Sequence, residues 1–461
     1  MANNKTVEMI SEFKGYNRRY VIGDNEFADM QNCVSDYYPV FSSGCSWGAM
    51  GLGYGSVTND KYTKLFADKT NNKLMTICQS ETGNKIIYDG SDKGTIYGAI
   101  NSIVMIGSKI CFFPAAWAYD TINDTLIDYK IWWNNTDDAG NLLGGNWSLC
   151  DKDGNDITYR TEWVAPEDTH DGDYWLDTST NPYTLKRISH DTYTYSEVSP
   201  TYVKFTKNEN SPNIPNFKIG DTIQIVGSVI DDLNKNSNII TAISDDYFVV
   251  EGMIGGITEQ VMLMYVSRAI PEMDIVIEKG NRLWGCSIDG REIYACKLGD
   301  PSVWYDYSGL STDSYAATIG SGGPFTGAVV FNGYIWFFKR DRVYKIYDSN
   351  FPAVQIIEMP IEGVAPGNEN SLVVIDGVLY YKSETAIMAF TGESVYRISD
   401  AFGDEFKKYN YGEAGELDGK YYINLKDTTI SDPLNAYTTF VYDTRRKMWH
   451  KEDIGIESAE G

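Results

Sequence analysis

The feature that most constrains this chain is a degenerate repeat in its C-terminal half. Gly280-Asn281-Arg282-Leu283-Trp284, Asn332-Gly333-Tyr334-Ile335-Trp336-Phe337-Phe338, Asp376-Gly377-Val378-Leu379-Tyr380-Tyr381 and Asp418-Gly419-Lys420-Tyr421-Tyr422-Ile423 each place a turn before an aromatic and aliphatic run. The turn residues Gly280, Gly333, Gly377 and Gly419 are 53, 44 and 42 residues apart. Such turns need positive φ, which Gly adopts at little cost. In the last three units a further strand ends in an aromatic and a turn residue, at Tyr347-Asp348, Phe390-Thr391-Gly392 and Tyr442-Asp443. The pattern reads as an inner hairpin repeated around an axis, and its period matches one four-stranded propeller blade of about 40–50 residues. Weaker copies run from Asn72 to Tyr88-Asp89-Gly90 and from Gly107 to Tyr119-Asp120. The fold expected is therefore all-β, a β-propeller of about six blade-like units.

Two copies precede a long gap and four follow it. Inside the gap, Phe217 to Gly227 alternates Ile219, Ile223 and Ile225 on one face, the period-2 signature of a half-buried strand. Asn238-Ile239-Ile240 and Tyr247-Phe248-Val249-Val250 add further strands. These predict a small inserted β-barrel-like domain. The first residues form an arm, with a short helix expected over Asp24 to Asn32 and a role in donating a closing strand to the last blade or reaching a neighbouring subunit. The resulting map is an N-terminal arm over 1–45, a first propeller segment over 46–160, the insertion over 161–270 and a second propeller segment over 271–461. After Trp449-His450 only a polar tail remains, so ring closure is expected from the N-terminus, a partner or residues outside this chain.

Composition narrows the function. Aromatic residues (34 Tyr, 18 Phe, 11 Trp) suit half-buried pleated surfaces. With 39 Lys and Arg against 64 Asp and Glu, the net charge of −25 opposes gripping of nucleic acid, which requires cations to displace phosphate counterions. An acidic wall instead suits a channel that must not hold DNA. The seven cysteines, Cys33, Cys45, Cys78, Cys111, Cys150, Cys286 and Cys296, contain no CxxC pair and read as reduced core thiols, although Cys286 and Cys296 could face each other across a hairpin. The N-terminal residues lack a signal-peptide apolar region, and Ala99 to Ala118 is too broken by polar residues to span a membrane.

No chemistry-bearing constellation stands out. The histidines are His170, His190 and His450. Gly44-Cys45-Ser46-Trp47-Gly48 is the nearest approach to a nucleophile elbow. The acidic stretches Asp151 to Asp156 and Glu167 to Asp173 miss the twelve-residue calcium pattern, and Gly320 to Pro324 lacks the Lys-Ser/Thr and helix of a phosphate loop. Trp132-Trp133 and Trp304-Tyr305-Asp306-Tyr307 could stack on sugars, but core packing is the favoured reading. The expectation is no catalytic residue, no metal and no cofactor.

Two stretches resemble tail propeller proteins of bacteriophages and prophages. One is Asp24-Asn25-Glu26-Phe27-Ala28-Asp29-Met30-Gln31-Asn32 with Tyr38-Pro39; the other runs from Asn281-Arg282-Leu283-Trp284-Gly285 through Glu292-Ile293-Tyr294-Ala295 to Leu298-Gly299-Asp300-Pro301-Ser302-Val303-Trp304. The residues carrying the likeness are Glu26, Asn32, Pro39, Leu298, Gly299, Asp300 and Pro301. The second stretch is similar to phage DNA-stabilisation, tail-hub and nozzle proteins. Val40-Phe41-Ser42-Ser43-Gly44 departs from the Arg and Gly turn residues usual there. The resemblance implies a virion structural protein, assembled in the bacterial host cytoplasm as a ring of copies of itself with other tail or head–tail connector proteins. Such a ring conducts or plugs packaged DNA during ejection, without sequence-specific binding, membrane insertion or catalysis. The alternative is a tail-tip receptor-binding propeller that reads glycans through exposed aromatics, and a third reading is a propeller hydrolase.

Overall fold

The computed structural model describes residues 12–40, 42–43, 61–80, 82–189, 191, 194–215, 217–254, 259–432 and 436–455. Six four-stranded antiparallel meanders follow one another along the chain. Sheet 1 starts with Lys61–Asp68 and ends with Ser91–Ile96; sheet 2 runs from Ile100–Ile106 to Thr125–Asp128. Sheet 3 runs from Met273–Glu278 to Tyr315–Thr318, and sheet 4 from Phe325–Phe331 to Gln355–Met359. Sheet 5 runs from Val373–Ile375 to Val395–Arg397, and sheet 6 from Tyr409–Leu417 to Met448–Gly455. The protein is all-β, and its helical residues among those described lie in three short 3₁₀ segments.

The turn glycines sit between the first and second strands. Asn332 and Gly333 have φ of 49° and 76°, Asp376 and Gly377 47° and 76°, and Asp418 and Gly419 53° and 75°. Both central residues are left-handed, as a tight hairpin turn with the right-handed strand twist demands. Gly280 and Asn281 repeat this with the order reversed, at 66° and 59°. The repeated aromatic hairpin is therefore the middle pair of each sheet and not the inner one. The middle strands dominate the sequence signal because they are buried on both faces, as in Tyr334–Lys339, where every residue after Tyr334 is buried. The first strands lead each meander. Those of sheets 2 and 3, of sheets 3 and 4, and of sheets 5 and 6 lie against one another.

Between sheets 2 and 3 the chain leaves to build a separate module. Its larger layer is a seven-stranded sheet with Trp132–Asn134 at one edge and Gly145–Cys150 at the other. These edges do not pair with each other, so the β-barrel-like domain expected is a half-barrel, open between them. A four-stranded sheet from Tyr159–Glu162 to Thr194–Glu197 contributes Leu176 and Leu185 to the same core. The module begins well before residue 161. Trp132–Asn134 pairs with Tyr265–Arg268, and Gly145–Cys150 with Tyr202–Lys207, because Trp133 and Trp147 are core residues of the module. Ile223 and Ile225 are buried there, whereas Ile219 is exposed in the turn ahead of the strand.

Among the described residues the arm adds no strand to sheet 6, which has four strands of its own. Cys33–Val34 pairs instead with Ser42–Ser43. No helix forms over Asp24 to Asn32: Asn25 and Asn32 adopt positive φ, and Phe27 bridges Tyr16. Phe13, Tyr16, Met30 and Cys33 sink into one core with Phe402 of the 3₁₀ segment Asp400–Lys408 and with Phe440 and Trp449 of the last sheet. Cys33, Cys111, Cys150, Cys286 and Cys296 are buried free thiols, so Cys286 and Cys296 form no bridge. Cys45, the Gly44 to Gly48 run, Phe41 and His190 lie outside the described residues.

Candidate functional site

Three places concentrate polar side chains: the line where the first strands meet, the loop after Ala295, and the seam between arm and last sheet. Along the first strands, the Lys64 Nζ of sheet 1 donates to the Asn101 carbonyl of sheet 2 at 2.6 Å. Asn101 Nδ2 donates to Asp274 of sheet 3 at 2.7 Å, and the Ser102 hydroxyl to the Asp274 carbonyl at 2.6 Å. Burial lowers the Lys64 pKa, while Glu369, in the 3₁₀ turn ahead of sheet 5, and Glu413, in the first strand of sheet 6, pull it back up. A single amine thus bonds to the second sheet and feels carboxylates of the last two.

The loop after Ala295 holds four residues of the tail-protein likeness, Leu298, Gly299, Asp300 and Pro301, each engaged in hydrogen bonds within the fold. The Leu298 N–H donates to the Thr312 carbonyl at 2.9 Å, although its side chain is exposed. The Gly299 N–H donates to the Asn281 carbonyl at 2.8 Å; its φ of 74° strains any side chain there, and a Cβ would lie 3.1 Å from the Asn281 amide nitrogen. Asp300 accepts from the Ser302 N–H and hydroxyl at 3.0 and 2.6 Å, an Asx turn. The Pro301 carbonyl accepts from the fully buried Trp304 indole at 2.9 Å. Arg282 holds the loop in place. Its buried guanidinium donates to the Cys296 carbonyl at 2.7 Å and to those of Asp313 and Ser311, and stacks 3.8 Å from the Phe351 ring centre. Burial lowers its pKa. Gly280, Gly333, Gly377 and Gly419 are likewise turn residues with no ligand-facing role evident in their surroundings.

The arm residues of the likeness form the third place. Burial would raise the Glu26 pKa, but the Gly23 N–H at 2.5 Å and Asn17 Nδ2 at 2.6 Å hold it below the usual range. The Asn32 N–H donates to the Glu452 carbonyl, and the Pro39 carbonyl accepts from the Phe13 N–H at 3.1 Å. Around them Ser35 donates to Asp443 at 2.7 Å, Lys420 pairs with Asp36, and Arg18 with Glu405 at 3.0 Å. Fully buried His450 lies 3.8 Å from Glu452, and neither ring nitrogen has a well-formed hydrogen bond. Burial, with Lys420 nearby, pushes the His450 pKa down to about 4, and burial pushes Glu452 up to about 7.

Sequence reading missed the Lys64–Asn101–Asp274 line, the His450–Glu452 pair and the buried Arg268–Asp221 ion pair at 2.5 Å. The first and last join segments far apart in sequence, and the His450–Glu452 pair, two residues apart on the strand Met448–Gly455, is buried only by what the arm packs over it. His170 is almost fully exposed, beside Asp173. Of the aromatic candidates, Trp133 and Trp304 are buried, while Trp132 is 65% and Trp163 71% exposed. Among the described residues no cluster of His, Cys, Asp and Glu has a metal-holding arrangement, and no helix is long and apolar enough to cross a membrane.

No protein-family model matches the chain, and no curated protein matches its sequence. Similar solved structures include PorZ of the Porphyromonas gingivalis type-IX secretion system, at 9% identity and TM-score 0.27 over 85% of this chain. The chain spans only 39% of PorZ. The phage phi92 endosialidase is similar at 8% identity and TM-score 0.21, over 85% of this chain and 46% of that one. The Aleuria aurantia lectin, solved with α-methyl-L-fucoside, is similar at 10% identity and TM-score 0.24, over 87% of this chain and 97% of that one. Likenesses this distant leave the architecture to rest on the sheet order itself.

Proposed function

We propose that this protein is a structural subunit of a bacteriophage tail or head–tail connector, a six-bladed β-propeller that assembles with copies of itself into a ring for packaged DNA. The observation that carries the reading is the line of first strands, in which Lys64 of sheet 1 bonds to sheet 2 and feels Glu369 and Glu413 near sheets 5 and 6. That arrangement fits six meanders fanned around one axis. The tail-like run from Arg282 to Trp304 supports the assignment through its use as rigid scaffold. The net charge of −25 suits a conduit from which DNA slides without adhering. On this reading the chain is not an enzyme, takes no cofactor and acts in the virion after assembly in the host cytoplasm. Heterologous contacts between wedge-shaped subunits close into rings where the rotation permits. Light scattering tests this: the expected mass is an integral multiple, three or more, of 51.8 kDa with an open lumen in negative-stain images.

A second reading, a glycan-reading tail tip, draws on the outward Trp132 and Trp163 of the inserted module. Binding on a broad glycan array, lost in Trp132→Ala and Trp163→Ala, would favour it over the conduit.

A further inference from the structure

The seam between arm and last sheet has the make-up of an interface between molecules. Its centre is apolar and aromatic, with Phe13 and Tyr16 against Phe402, Phe440 and Trp449. Its margin is ionic: Arg18 with Glu405, Asp36 with Lys420, and Asp29 with Lys451 at 3.8 Å. Aromatic anchors inside a charged rim describe a docking surface between partners. No continuous strand ladder crosses the seam. The Tyr16 N–H donates to the Trp449 carbonyl at 2.7 Å, Arg18 to Ala401 at 2.7 Å and Asn32 to Glu452, each a separate bond. Sheet 6 meanwhile holds its full four strands, so the arm is an added cover and not a missing piece.

The arm is also separable by chain length. Seventeen residues join Ser43 to Lys61, the first residue of sheet 1. Fully extended they span up to about 60 Å, more than the diameter of a typical domain. Every bond that holds the arm to its own last sheet is equally available to the arm of an identical chain. Exchange of an identical element is a low-cost route to assembly, because nothing is lost at the surface and only the connector changes course.

We propose that residues 12–40 dock on sheet 6 of a neighbouring copy in the assembled protein, so that the arm is the link between successive subunits. The proposal rests on the ring reading for the existence of an assembly, and adds which surfaces join it. In the closed single chain the same surfaces meet each other, and dissociation of the arm is the step that precedes assembly.

Cross-linking across the margin tests it. Asp29, 80% exposed at its side chain, and Lys451 face each other at the seam's edge. In full-length chains carrying Cys45→Ser, Asp29→Cys and Lys451→Cys are introduced singly, the two variants are co-expressed with different tags, and a short bismaleimide is added. The expected result is a covalent dimer bearing both tags, and a ladder of covalent oligomers from the double variant. A double variant that cross-links only within single chains overturns the exchange. Light scattering on the same samples separates the two ideas: rings with only internal cross-links leave the ring reading standing without the arm, and monomers with only internal cross-links remove both. Unchanged circular dichroism of each variant shows that neither substitution has unfolded the seam.

Discussion

Replacing Arg282 by Met should detach the loop that carries Leu298 to Pro301 while leaving the six sheets in place. The guanidinium donates to three carbonyls, those of Cys296, Asp313 and Ser311, and covers the face of Phe351. Met fills similar volume but donates nothing. The Cys296 and Asp313 bonds are buried, and a buried acceptor left without a donor costs about 1–3 kcal/mol. The ring contact adds roughly 1 kcal/mol. Relief from burying a charge offsets part of this, which leaves a net loss of about 3 kcal/mol. The loss falls on residues 296–314, whose main-chain bonds to the rest of the protein are few, Cys296 to Leu283 and Gly299 to Asn281, with Leu298 to Thr312 and Lys297 to Val303 bonding within the loop. Hydrogen exchange followed by mass spectrometry reads it directly. Protection of the Leu298 and Gly299 amides should fall on the order of a hundredfold, a factor of ten for each 1.4 kcal/mol, while the middle strands of sheets 4 and 5 keep theirs. Arg282→Lys should recover only part of the protection, since an ammonium cannot fork to carbonyls on several segments. Unchanged protection in Arg282→Met would refute the view that this side chain, and hence the tail-like motif, is structural.

The arm seam should have a stability plateau in pH. Glu452, with its pKa raised to about 7, contributes stability that is full below its ordinary value near 4.5 and lost as pH rises through 7; His450, lowered to about 4, contributes stability that is full above 6.5 and lost as pH falls through 4. Between those limits the docked seam holds the proton on the carboxyl and the free groups hold it on the imidazole, so the slopes cancel; melting curves from about pH 3.5 to 9 should show both limbs, with Glu452→Gln flattening the alkaline one. Gly333→Ala should cost only about 1–2 kcal/mol, the left-handed strain alone, because nothing lies within 4 Å of the added carbon. Gly290→Ala should cost well beyond that, since its carbon would sit 2.2 Å from the Gly323 carbonyl oxygen; urea midpoints of the two variants check the order. Lys339→Met should loosen sheet 3 from sheet 4, because the buried ammonium donates to the Gly290 and Ser321 carbonyls at 2.8 and 2.6 Å, a loss measurable as faster proteolysis between residues 319 and 324.

The all-β class and the turn positions were legible because they depend on local chemistry. Asn-Gly and Asp-Gly pairs announce left-handed turns, and strands buried on both faces announce themselves as aromatic runs. The first strand of each meander was harder to see. In sheets 1 and 3 it carries Lys64 and Asp274, which bond to Asn101 of sheet 2, so part of its pattern is set by distant contacts and not by alternation. The module boundary was misplaced for a related reason: Trp133 and Trp147 look the same whether they pack in one core or another, and only pairing with Tyr265–Arg268 and Tyr202–Lys207 assigns them. The motif residues were identified from resemblance, but their use was not. That Gly299 must bond Asn281, and that Arg282 clamps the loop behind it, follows from the close approach of segments separated by some 15 to 30 residues. The buried His450–Glu452 pair had no signal at all, because its environment is supplied by the arm from the other end of the chain.

If this chain works as a ring-forming subunit, its mass in solution must show it. Multi-angle light scattering on the purified protein, from micromolar to the highest soluble concentration, should give a discrete mass of three or more chains, with a central opening in negative-stain images. A mass of one chain at every concentration, with compact single particles and no opening, would rule out the ring.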